Sequence, residues 1–165
     1  MIYLMILLVA VIAAVALFLV NRGQEQLLID VEHRSRLFVS KRTADSTTLS
    51  ATIPLKNIGK QSMILFDAFP RVLLPVEQFN LMTYDATLCT VPRNDHYFEA
   101  AVIEHKAELI VTLNITFFGD FDLIKSVPDF YTLIHVQFVG RNPLRFQSAR
   151  LFFDNNEIRE ACHAA

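Results

Sequence analysis

The sequence predicts an all-β domain, an antiparallel β-sandwich of about eight strands, behind one N-terminal transmembrane helix. Three observations carry that expectation. The first twenty residues, Met1–Val20, contain no charged or strongly polar side chain. From Leu27 onward apolar residues recur at every second position, the period of a half-buried strand and not of a helix. Turn residues separate these runs where helical stretches would stand in a parallel βαβ chain.

In chain order, Met1–Val20 reads MIYLMILLVAVIAAVALFLV, with thirteen positions Leu, Ile, Val or Phe. As a helix it would rise roughly 30 Å, the thickness of a hydrocarbon core. It ends at a polar linker, residues 21–26 (NRGQEQ). Ala14-Val15-Ala16 fits a small-x-small cleavage rule, so removal of residues 1–16 as a signal peptide is the alternative, although no basic segment precedes the apolar run. Arg22, Arg34, Arg36, Lys41 and Arg42 all follow it. The positive-inside rule then favours a single-pass membrane protein with its domain on the cytoplasmic side.

Residues 27–153 form the expected sandwich. Leu27, Ile29 and Val31 alternate with acids; Leu49, Ala51, Ile53 and Leu55 alternate with Ser, Thr and Pro; Leu109 to Phe117 and Ile134 to Phe138 repeat the pattern. Further strands are expected at 36–40, 62–69, 71–74, 86–91, 97–104 and 149–153. Asn57-Ile58-Gly59-Lys60 reads as a hairpin connection, and Gly119-Asp120 and Gly140-Arg141-Asn142-Pro143 as later turns. Pro54, Pro70 and Pro75 cannot donate to a ladder and point to edges or bulges. Residues 154–165 (DNNEIREACHAA) read as a tail, a short helix or disordered, with little packing.

The plan is immunoglobulin-like in general shape, without the Cys…Trp…Cys pattern of true immunoglobulin domains. A tethered single sandwich also resembles the LEA-2/WHy domains in outline. That resemblance covers architecture alone and carries no residue-level function.

Composition excludes some classes of partner. A net charge of −2 and a pI near 6.2 leave no electrostatic footprint for nucleic acid. Two cysteines, Cys89 and Cys162, make no disulfide framework. Asn114-Ile115-Thr116 matches a glycosylation sequon, but it lies mid-strand.

Candidate chemistry is sparse. Arg93 to Glu99 is the densest polar cluster, with His96 a conceivable base, yet neighbouring strand residues diverge to opposite faces. Asp120, Asp122 and Asp129 lack the pattern of a calcium loop. No phosphate loop and no G-x-S-x-G elbow occurs. No catalytic, cofactor or metal residue is expected, and the chain reads as no enzyme. The remaining candidate is Asp67 to Phe79, an apolar run bracketed by prolines. Within it Phe69, Arg71, Leu73, Glu77 and Gln78 form the expected partner-binding edge, open to strand addition or groove insertion. The functional expectation is a membrane-anchored, non-catalytic sandwich that scaffolds or recruits a protein partner. Its alternative is a carrier of lipid or another apolar ligand between the sheets.

Overall fold

The computed structural model describes residues 2–21, 23–75, 82–90, 98–141 and 143–164, with backbone alone at 19–21. Half-buried strand patterns became strands in two antiparallel sheets. The first orders β1 (Leu27–Ile29), β3 (Ser46–Asn57), β7 (Glu108–Phe118) and β5 (Thr83–Thr90), with β2 (Phe38–Arg42) also paired to β3. The second orders β6 (Ala101–Ile103), β4 (Met63–Leu73), β8 (Phe130–Val139) and β9 (Arg145–Phe153).

The alternation sets which side of each sheet is wet. Leu49, Ala51, Ile53 and Leu55 of β3 face inward and are fully buried, as are Val111, Leu113, Ile115 and Phe117 of β7. The second sheet answers with Leu65, Ile134, Val136 and Phe153. Phe117, Phe130 and Phe153 meet edge to face and tilted, with ring centroids 6.2 and 5.3 Å apart. These rings and aliphatic side chains occupy the space between the sheets where the carrier alternative expected room for a ligand.

The membrane expectation is corrected. The N-terminal helix α1 runs Ile2–Asn21, yet among the described residues no helix is long and apolar enough to cross a membrane. The expected single-pass location falls with that finding, and the expected bilayer contact through residues 1–20 is not shown.

Other boundaries moved for local reasons. The Asn57–Lys60 turn closes no hairpin, because β3 and β4 belong to different sheets. The turn is a corner held by Asn57, whose Nδ2 donates to the Gln61 and Ile103 carbonyls at 2.7 and 3.1 Å. Residues 24–26 dock on this corner: Ile58 and Lys60 N–H groups donate to Gln26 and Gln24 carbonyls, each at 2.9 Å. Gly59 is required there, since a Cβ would lie 2.3 Å from the Gln26 nitrogen. The runs expected at 62–69 and 71–74 are one strand, β4, with Pro70 inside it. The run expected at 97–104 shortens to β6.

The tail packs, against expectation. It forms α3 (Asn155–His163), burying Ile158, Ala161 and Cys162. Asp154 caps it, accepting from the Glu157 N–H at 2.7 Å. Glu157 then forms a two-pronged pair with Arg34, both N···O distances 2.7 Å, and accepts from the Leu37 N–H at 2.9 Å. Arg34 also lies over the Phe153 ring. The amphipathic spacing of Ile158, Ala161 and Cys162 supplied a signal for this helix that lay within the sequence.

Candidate functional site

The outer face of the second sheet is the site the fold assembles. On β4, β8 and β9 the outward positions follow in rows fixed by register. The first row is Leu73–Tyr131–Phe152, with the Tyr131 and Phe152 rings 5.0 Å apart. The second is Arg71–Leu133–Arg150, with the Arg150 guanidinium 3.6 Å from the Tyr131 ring centroid. The third is Phe69–His135–Ser148, where the Phe69 and His135 rings stack at 5.1 Å. The fourth brings Asp67, Gln137 and Phe146 together, and a bulge beside Asp67 adds Phe66. Ile64 and Val102 close the far end.

The exposure is unusual for outward positions of a sheet. Phe146 is 71% exposed, Val102 59%, Phe66 51% and Phe69 44%. Contiguous exposed apolar surface of this kind marks a docking site more often than scattered surface residues do. Arg71 joins no ion pair among the described residues.

The face ends in a groove of about 730 Å³ where β4 and β5 diverge. Arg71, Leu73, Tyr84 and Tyr131 are among the residues lining it. Here the free half of β4 is exposed, because β6 pairs only Met63–Leu65. That edge is blunted. The Tyr84 hydroxyl donates to the Val72 carbonyl at 3.1 Å, so the backbone groups of residues 70 and 72 point away from β8. Pro70 offers no donor there, and Tyr84 occupies an acceptor.

Of the expected partner-binding residues, Phe69, Arg71 and Leu73 share this face, while Glu77 and Gln78 lie outside the described residues. So do residues 91–97, and with them His96 and Asp95. Sequence reasoning missed Tyr131, Leu133, His135, Phe146, Arg150 and Phe152. Their signal was available: apolar and aromatic residues at the outward positions of β8 and β9, where an exposed face would be polar.

The other candidates have structural roles. Asp120 caps the short helix α2 (Phe121–Ile124), Asp122 pairs with Lys125 at 2.7 Å, and Asp129 accepts from the Asn155 N–H at 2.8 Å. Asn114 is buried, its Oδ1 accepting from the Ser50 hydroxyl at 2.6 Å, a position closed to a glycan. Both thiols are free and buried, and burial pushes the Cys162 thiol up. Hydrogen bonds from Lys56 at 2.6 Å and His33 at 2.8 Å hold the Asp30 carboxyl down, from 3.8 to about 2.

No family model matches the chain, and no curated protein does. Among solved structures it is similar to the GAE domain of GGA2p from Saccharomyces cerevisiae, at 8% identity and a TM-score of 0.39. That likeness covers 80% of this chain and 99% of the other. It is similar also to the yeast GGA1 GAE domain, at 11% identity and a TM-score of 0.37, covering 79% and 98% of the two chains. A protein from Archaeoglobus fulgidus matches at 5% identity and a TM-score of 0.34, covering 79% and 96%. Likenesses of that depth leave the surface itself to speak for function.

Proposed function

We propose that this chain is a non-catalytic, protein-binding β-sandwich that docks its partner on the outer face of β4, β8 and β9. The observation that carries the reading is the contiguous apolar and aromatic face of that sheet, from Ile64 and Val102 to Leu73 and Phe152. Face docking is favoured over strand addition at β4, because Pro70 and Tyr84 remove a donor and an acceptor from its free edge. Such a module scaffolds or recruits; it performs no bond chemistry.

The test is photo-crosslinking on the full-length chain, with the crosslinker at Val102 or Phe146 and, in parallel, at Thr52 on the other sheet. The expected result is transfer to one partner from the first two positions and none from Thr52. Leu73→Asp and Arg71→Glu should each abolish that transfer while thermal unfolding stays unchanged. Transfer from Thr52 alone, or transfer that both substitutions leave intact, would sink the proposal.

A further inference from the structure

Resting on that docking reading, we infer that the partner segment is acidic and amphipathic, with two carboxylates straddling an apolar side chain. The argument is the second row of the face. Arg71 and Arg150 flank Leu133 directly across three neighbouring strands. Two strand spacings put their backbones about 10 Å apart. Both side chains are exposed, and neither has a carboxylate partner among the described residues. Arg150 instead lies on the Tyr131 ring, which leaves the guanidinium edge free to donate.

The spacing suits a helix. Residues seven apart on one helical face lie about 10.5 Å apart, two turns along, with apolar positions between them. A carboxylate at each end would reach Arg71 and Arg150, and the side chains between would cover Leu133 and the rings of the neighbouring rows. An extended segment places alternate residues only about 7 Å apart on one side, a poorer match.

Charge also argues against the two partners nearest at hand. A second copy docked face to face would set arginines against arginines, with Asp67 as the acid within the rows. The helix α1 carries no acid in its first turn and no carboxylate along its length, so it leaves both arginines unpaired.

The probes are three synthetic amphipathic peptides that share one leucine-rich face and differ only at two positions seven apart, which hold Glu, Gln or Lys. Binding to the full-length chain is read by fluorescence anisotropy at low and physiological ionic strength. The Glu peptide should bind roughly tenfold more tightly than the Gln peptide, the Lys peptide most weakly, and added salt should narrow the gap. The double variant Arg71→Glu/Arg150→Glu should reverse the order, and Arg71→Gln or Arg150→Gln alone should each remove about half the preference in logarithmic terms. Equal affinity for all three peptides overturns the acidic partner; if crosslinks from Val102 and Phe146 persist, the docking face itself stands. Absence of both binding and crosslinks overturns both. Adsorption to phosphatidylserine vesicles without peptide selectivity, lost on the double charge reversal, overturns the inference in favour of a lipid headgroup.

Discussion

On the outer face of β3 and β7, Thr48 meets Thr116 at 2.9 Å and Ser50 meets Asn114 at 2.6 Å. On the outer face of β4 and β8, Phe69 stacks on His135 and Leu73 stands opposite Tyr131. Both faces follow the same two-residue period, and both back onto the same core. The first satisfies its polar groups within itself and beside β2, where Ser40 lies 2.6 Å from Ser50. The second leaves apolar rings in water, which costs free energy in the isolated chain. The contrast teaches that one face belongs to stability and the other is available to binding.

The comparison breaks most sharply if the polar side proves dispensable. Arg34→Met should cost about 3 kcal/mol, because it leaves Glu157 in a half-buried site with only the Leu37 N–H to answer its charge. Urea denaturation followed by circular dichroism checks it; a change below about 0.5 kcal/mol would mean the pair is surface decoration. Asn114→Ala should cost about 1 kcal/mol, because it removes one of the two acceptors, Asn114 and Ser40, that surround the fully buried Ser50 hydroxyl. Partner crosslinking from Val102 should survive both changes.

Beneath the aromatic face, Thr132 has a fully buried hydroxyl with no hydrogen-bond partner among the described residues. Thr132→Val keeps the shape and should raise stability by about 1 kcal/mol, seen as a higher urea midpoint with unchanged binding. On the face itself, Phe66→Ser together with Phe146→Ser should leave stability within about 0.5 kcal/mol. The same pair should lower binding of a hydrophobic dye and abolish partner crosslinks.

The smallest effect is acid-dependent and belongs to the polar side. Because the Asp30 carboxyl is held below its ordinary 3.8, at about 2, its contribution to stability is complete above the ordinary value. It is lost as pH falls from near 4 toward 2. Lys56, raised by the same hydrogen bond, loses its contribution only as pH climbs above the ordinary lysine value. Asp30→Asn should therefore flatten the stability profile between about pH 4 and 2, roughly the span of the shift, measured by thermal melts across that range.

Much of the sandwich was legible because alternation is local. Leu49 to Leu55 and Leu109 to Phe117 announce their inner faces without knowledge of their partners. The pairing was not legible. Nothing in Asn57 to Ser62 states that β4 leaves its neighbour for the other sheet, since that depends on Asn57 meeting the Ile103 carbonyl, a residue distant in sequence. For the candidate site, the run around Phe69, Arg71 and Leu73 stood out as apolar and proline-bracketed. Its complement on β8 and β9 was missed, because which outward residues stand beside Phe69, Arg71 and Leu73 depends on the pairing register.

The sequence alone determined the strand-forming runs and the inward set of side chains. Each follows from period, propensity or composition, which act over a few residues. Only the tertiary structure decided that Arg71, Leu133 and Arg150 share a row, that Tyr84 closes the β4 edge and that Glu157 reaches Arg34. These are contacts between residues up to 123 positions apart, fixed by sheet register and helix docking, and no local pattern encodes them.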